Sequence, residues 1–205
     1  MRKPFLLTAA LCLGLSPGPA VVAQESQAPG LLRQAALSAD LYRLGLAQED
    51  ALLVLAAAKM RRALDFLPPP EAAPTLTGWE AMAEAARELA AGDPLLLDLI
   101  EDSLAESLKG VATGPTFLIR SLADPEGASV ELEFSGGTLA EVYVEGAIGN
   151  RVSLAVSDAA GNPICRDSPE SHIAYCDWTP AEDGAFLITV SSLDHSVTDY
   201  ILVTN

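Results

Sequence analysis

A pair of cysteines near the C-terminal end constrains the fold more than any other feature of this chain. Cys165 and Cys176 are separated by ten residues and lie among short segments in which apolar and polar residues alternate. Zinc sites use shorter Cys-x-x-Cys spacings, so a metal pair is the less favoured alternative to a structural disulfide. Because disulfides persist in oxidising compartments, the pair predicts an exported chain with a small β domain at its C-terminal end. In the chain-entropy model, closing such a loop raises the free energy of unfolding by about 2–3 kcal/mol.

The N-terminus has the three parts of a secretory signal peptide. A basic start, Arg2-Lys3, precedes an apolar stretch over residues 5–15, and small residues ending at Ala23 offer a cleavage site. The apolar stretch is far shorter than the roughly 20 residues that span a bilayer. A bulky leucine directly before Cys12 argues against lipoprotein processing. We therefore predict a signal peptide over residues 1–23 and a periplasmic or secreted protein that does not insert into a membrane.

The charge of the chain excludes several partners. The sequence has 28 acidic and 12 basic residues and a net charge of −16. Removal of the signal peptide takes away two basic residues and no acidic ones, which leaves 10 basic residues and a net charge of −18. Repulsion from phosphate groups makes nucleic acid and anionic lipid poor partners for such a protein. The apolar content is that of a globular protein and not of a disordered one.

The sequence changes its periodicity close to residue 125. Before that point Ala and Leu recur at helical spacing, and after it apolar residues alternate with polar ones. We therefore predict an α+β protein with two domains: a four-helix α domain over residues 24–124 and an antiparallel β-sandwich over residues 127–205. The Asp-Pro sequence that ends this first part is typical of a linker, so the β domain is expected to fold alone.

Helix start and stop signals divide the α domain. The first helix is predicted over residues 29–48, and the second ends before the prolines that follow Leu67, since proline cannot continue a helix. Thr77 and Glu80 have the spacing of a capping box for the third helix. Asp93 and the proline after it predict the start of the fourth. A faint repeat of about 43 residues in this half weakly resembles tetratricopeptide-like helical hairpins, but a plain helical bundle is the favoured interpretation.

At least seven short strands are predicted in the second domain. No long helical pattern interrupts them, which favours antiparallel pairing. Four groups of residues in this region are Val152-x-Leu154-x-Val156-x-Asp158-x-x-Gly161-Asn162, Cys176-x-Trp178-x-Pro180, Gly184-x-Phe186-x-Ile188-x-Val190 and Tyr200-x-Leu202-x-Thr204-Asn205. With these motifs, residues 127–205 resemble the bacterial pre-peptidase C-terminal domain.

That resemblance implies a jelly-roll-like β-sandwich of the kind that is appended to secreted enzymes and acts in secretion or in binding extracellular polymers. The chain departs from the family at Asn150-Arg151, where members commonly have Asp residues entering the strand. No peptidase domain precedes the region. The resemblance therefore predicts a fold and a compartment and does not predict an activity.

Candidate sites for chemistry are few. Asp158, Asn162 and Asp167 are weak calcium candidates, but turns use Asp and Asn for backbone reasons alone, and no calcium-loop spacing is present. His172 and His195 are the only histidines. The sequence around His195 contains an acid, a base and a hydroxyl as near neighbours, which point in different directions and are more typical of a turn than of a catalytic triad. Neither a catalytic motif nor a cofactor motif is recognisable.

These patterns favour a non-catalytic exported binding or accessory protein that recognises another protein or an envelope polymer. Two alternatives remain open. One is a secreted hydrolase with an undetected active site between the domains, and the other is a purely structural envelope protein. We predict no cofactor and no metal, and the patterns indicate no particular oligomeric state.

Overall fold

The computed structural model describes residues 30–64, 77–105, 116–122, 127–196 and 198–205, and it confirms the predicted α+β class. The signal peptide, the linker around residues 68–76 and the end of the fourth helix lie outside these ranges. Four helices come first, and eight strands follow. The helices are α1 (Leu31–Gln48), α2 (Ala51–Arg62), α3 (Trp79–Leu89) and α4 (Pro94–Ala105). The strands are β1 (Thr116–Leu122), β2 (Ala128–Phe134), β3 (Ala140–Gly146), β4 (Val152–Asp158), β5 (Pro163–Asp167), β6 (Ile173–Trp178), β7 (Gly184–Ser192) and β8 (Thr198–Thr204).

Local capping sets the helix boundaries. Glu49 adopts the left-handed conformation after α1, and the carboxylate of Asp50 accepts hydrogen bonds from the first backbone N–H groups of α2, so the two helices form a tight hairpin. Asp93 caps α4 in the same way, as predicted. The predicted capping box of α3 is wrong, because the helix starts one residue later with Gly78 as its N-cap. The backbone N–H of Thr77 donates instead to Glu145 on β3, at 3.3 Å.

The eight strands form the two sheets of a jelly roll. One sheet has the order β1-β8-β3-β6 and the other the order β2-β7-β4-β5. Four antiparallel pairs, β1–β8, β2–β7, β3–β6 and β4–β5, show that the chain folds back on itself like one long hairpin rolled into two sheets. Strand β1 was not predicted: it precedes the predicted domain boundary near residue 125 and pairs with β8 along all of its length.

The inner faces of the two sheets form the largest hydrophobic core. Val142 and Val144 on β3 face Leu154 and Val156 on β4 within this cluster. The predicted disulfide between Cys165 and Cys176 is present and joins β5 to β6, which belong to different sheets. The bond therefore closes one side of the sandwich where both sheets have an edge strand.

Helix α1 covers the outer face of the β1-β8-β3-β6 sheet. A second core lies between the helix and the sheet, and strands β3 and β8 are consequently buried on both faces. Its buried members are Leu32, Ala35, Ala36, Ala39, Leu64, Tyr143, Ile173, Ile201 and Val203. The other helices stack behind α1 and α2 and form two further clusters. None of the described helices combines the length and apolar character that crossing a membrane requires.

Candidate functional site

A buried ion pair joins the helical layer to the sheet. The guanidinium of Arg61 on α2 lies 3.2 Å from the carboxylate of Glu145 on β3, and their side chains are 2% and 1% exposed. The hydroxyl of Tyr143 donates to the same carboxylate, and the pKa of this tyrosine is raised well above its usual value, first by burial and then by Glu145. Arg61 also donates from Nε to Ser38 on α1, at 2.8 Å. Each member of this cluster has a partner inside the protein and little access to solvent.

A second buried carboxylate holds the start of α1. Glu141 on β3 accepts a hydrogen bond from the backbone N–H of Arg33 at 3.1 Å and another from the hydroxyl of Tyr175 at 2.7 Å. A negative charge at this point complements the positive end of the helix dipole. Gly30, the N-cap, has no side chain to do so, and a Cβ there would lie 2.2 Å from the Glu141 oxygens. The close approach requires glycine.

The predicted histidine candidate at residue 195 lies in the tight turn between β7 and β8. His195 has a left-handed backbone, with φ of 51°. The neighbouring Asp194 does not orient the histidine, because its carboxylate accepts from the backbone N–H and from Nε of Arg151, at 2.6 and 2.7 Å. These bonds lower the pKa of Asp194. The place of Asp194, His195 and Ser196 in a turn therefore explains why these three residue types are neighbours in the sequence.

The three calcium candidates do not converge on one point. Asp158 and Asn162 belong to one turn, in which the Asp158 carboxylate accepts hydrogen bonds from Ala160 and Asn162. Asp167 lies at the other end of β5 and accepts from the backbone N–H of Tyr175, at 2.9 Å. Within the residues that the structure describes, no group of three His, Cys, Asp or Glu side chains is arranged to hold a metal ion.

The two tryptophans are both partly buried against hydrophobic clusters of the protein. The ring of Trp178 lies 4.8 Å from that of Phe134 and 5.3 Å from that of Phe186, at inclined angles that favour aromatic contact. Its indole Nε1 is buried and has no hydrogen-bond partner in the described part of the chain. Trp79 lies under the guanidinium of Arg62, at 4.8 Å. Arg62 therefore covers one face of Trp79, whereas Trp178 lines a second pocket of about 510 Å³ together with Ile164 and Pro180.

A cleft of about 210 Å³ opens where α1 meets two loops of the sandwich. Three segments contribute its walls: the C-terminal half of α1, the β3–β4 loop, and the residues just before β6. The lining residues are Tyr42, Arg43, Leu46, Ile148, Gly149, Asn150, Arg151, Glu170, Ser171 and His172. Ile148 stands at the rim with 64% of its surface exposed, and Leu46 is 39% exposed on the opposite wall. The cleft therefore offers apolar walls at the surface of the protein.

Arg151 fixes two of these walls. Its guanidinium donates to Glu170 at 2.6 Å and to Asp194 at 2.7 Å, so one side chain ties the β3–β4 loop to the segment before β6 and to the β7–β8 turn. The position is one where the sequence departs from the pre-peptidase C-terminal pattern. The guanidinium here holds together acidic groups from two other segments, so the cleft has preformed walls.

His172 forms part of the cleft wall beside the start of β6. Its side chain is 6% exposed, and burial is the main cause that lowers the pKa of its imidazole. The backbone carbonyl accepts from Gly146 at 2.7 Å, but the ring forms no hydrogen bond with any of the described residues. A neutral imidazole carries one donor and one acceptor. The ring therefore brings unused hydrogen-bonding capacity to a largely apolar cleft.

Of the residues that line the cleft, only His172 was a candidate in the sequence; the other lining residues were not predicted to form a site. Tyr42 and Leu46 lie in the predicted first helix, whose apolar periodicity predicts only packing, and Ile148 lies in a loop between two strands. The one local signal was an isoleucine among the small residues of the turn from Gly146 to Asn150.

The comparisons with known proteins give little. No family model matches the chain, and no curated protein matches it. Among solved structures, the crystal structure of the SPBc2 prophage-derived protein YomS matches with 20% sequence identity, covering 47% of this chain and all of that one. Its TM-score is 0.25, too low to carry an argument about fold or function.

Proposed function

We propose that the chain is a non-catalytic, exported accessory protein that binds another protein through the cleft between α1 and the β3–β4 loop. The cleft itself carries the proposal. It is preformed, because Arg151 ties its loops together, and it has exposed apolar walls at Ile148 and Leu46. Large apolar side chains in a concave, polar-rimmed surface are typical of recognition sites.

The buried charged groups support binding over catalysis. Glu145, Arg61 and Glu141 are held by partners that join the helices to the sheet, and all three are nearly inaccessible to a substrate. A general acid or base must reach the reacting atoms. These groups act instead as fixed points of the scaffold, as a binding protein requires.

Export is part of the proposal. The predicted signal peptide over residues 1–23 supports it, and the Cys165–Cys176 disulfide is consistent with an oxidising compartment. The resemblance of residues 127–205 to the pre-peptidase C-terminal domain also supports an extracytoplasmic binding role. We therefore propose that the protein acts in the periplasm or outside the cell.

The test is affinity capture from an envelope extract with the mature chain as bait. Ile148→Asp puts a charge on the cleft rim, and Leu95→Asp makes the same change at an 82% exposed leucine in the first turn of α4, away from the cleft. We expect the wild type and Leu95→Asp to enrich one protein that Ile148→Asp does not. The proposal fails if Ile148→Asp captures the same proteins as the wild type, or if the purified chain turns over a component of the extract.

A further inference from the structure

We propose that the cleft accepts one apolar side chain from a basic segment of the partner, with His172 hydrogen-bonding to a polar group beside that side chain. This inference rests on the proposed function and names the chemistry of the partner. Size, charge and hydrogen bonding each contribute to it.

The size of the cleft fits a single anchor. A volume of about 210 Å³ is large enough for one large side chain. Its apolar walls, Tyr42 and Leu46 from α1 and Ile148 from the facing loop, are suited to an aliphatic or aromatic group. Buried apolar anchors of this kind carry most of the affinity in protein interfaces.

The charges around the cleft favour particular residues next to the apolar side chain of the partner. The two arginines of the cleft are already paired with acid groups: Arg43 with Asp40 at 3.8 Å, and Arg151 with Glu170 and Asp194. The acidic partners outnumber the arginines, and the Glu170 side chain is 82% exposed at the rim. With a net charge of −16 on the whole chain, the field around the cleft attracts cationic segments and repels acidic ones.

His172 supplies the polar contact. The residue is 6% exposed in the cleft wall, and its ring forms no hydrogen bond with the described residues. Its ring nitrogens are not among the fully buried, unpaired atoms of the described residues, so they are open to the cleft, where a bound segment offers peptide N–H and C=O groups as hydrogen-bond partners. Binding that satisfies this ring favours a peptide over a purely apolar ligand.

The test uses synthetic pentapeptides and the amide spectrum of the mature protein. One peptide has a central leucine with two lysines on either side, the second replaces the leucine with serine, and the third replaces the lysines with glutamates. We expect the leucine-lysine peptide to shift the amide signals of Ile148 and Gly149 and to bind at least about tenfold more tightly than either variant at low salt. Added salt should weaken this binding.

Two protein variants complete the test. His172→Phe keeps a ring in the wall and removes the hydrogen bond, and we expect about two- to tenfold weaker binding of the leucine-lysine peptide. Leu95→Asp should bind it as the wild type does. The inference is overturned if the glutamate peptide binds equally well, if the serine peptide binds equally well, or if only soluble cell-wall glycan fragments shift the cleft signals. Capture of a partner that Ile148→Asp loses, together with peptide binding that ignores charge, would leave the proposed function in place and refute this inference alone.

Discussion

Replacing Glu145 with glutamine removes one charge from the centre of the contact between the helices and the sheet. The change keeps the shape of the side chain and leaves the guanidinium of Arg61 buried without an ionic partner. Arg61 cannot lose its proton within the accessible pH range. The carboxylate accepts from Arg61 at 3.2 Å and from the backbone N–H of Thr77 at 3.3 Å, and it also accepts from Tyr143. Glutamine has one acceptor oxygen and two N–H donors, so it cannot replace all three contacts.

We expect Glu145→Gln to lower the free energy of unfolding by about 3–5 kcal/mol. This is the cost of removing one partner of a buried ion pair, since the remaining charge stays desolvated. The side chains of Arg61 and Glu145 are 2% and 1% exposed, so solvent screening does not reduce the effect. Native domains are stable by only about 5–15 kcal/mol, and the variant should therefore lose a large part of its stability.

Urea unfolding measures the change. Trp79 lies in the helical layer and Trp178 in the sandwich, so tryptophan fluorescence follows both parts of the protein. Glu101→Gln is the matched control, because Glu101 also pairs with an arginine, Arg87, at 2.7 Å but at the exposed surface. Exposed pairs contribute little to stability, so the control should unfold near the wild-type midpoint.

The result that refutes this reasoning is a Glu145→Gln protein as stable as Glu101→Gln. Such a result would mean that water reaches the pair and that the layers separate easily. A double variant, Arg61→Met with Glu145→Leu, gives a second check. It removes both charges, and we expect it to be more stable than Glu145→Gln alone, because no uncompensated charge remains buried.

Three further predictions follow from the same contacts. Glu141→Gln should lower the urea midpoint by the equivalent of about 1 kcal/mol, because the start of α1 loses its negative charge, and an unchanged midpoint would contradict this role. Cys165→Ser should cost about 3 kcal/mol through the lost loop closure, measured as a lower thermal midpoint, while reduced wild type should melt close to the variant. Residues 127–205 alone lack β1 and the helical cover, so by circular dichroism they should give a β-type spectrum and melt below the whole chain. An equal midpoint would show that the helices add no stability to the sandwich.

Local signals in the sequence were sufficient for most helices and strands. Asp93 and the proline after it marked the start of α4, and the alternation of Val152, Leu154 and Val156 marked an inward-facing strand. Both depend on neighbouring residues and on the geometry of a single element. The pairing of Cys165 with Cys176 also followed from composition, because no other cysteine competes once the signal peptide is set aside.

Strand β1 was missed because its role depends on distant residues. Among the strands that the structure describes, it lies at the edge of one sheet and pairs with β8, about 80 residues later in the chain. The cleft was missed for the same reason, since its walls come from three segments that meet only in the folded protein. Patterns along the sequence indicate which residues share a face, and they do not indicate what covers that face.

Strand β3 shows most clearly what alternation leaves out. Val142 and Val144 face the sandwich core, so the pattern predicts solvent on the other face, where Glu141, Tyr143 and Glu145 point. Those three side chains are instead buried beneath the helices. A buried carboxylate is tolerated only with strong partners, and each glutamate has them: the start of α1 for Glu141, and Arg61 for Glu145. Two acidic residues of one strand therefore fix the helical layer at two points, and that attachment positions α1 as a wall of the cleft.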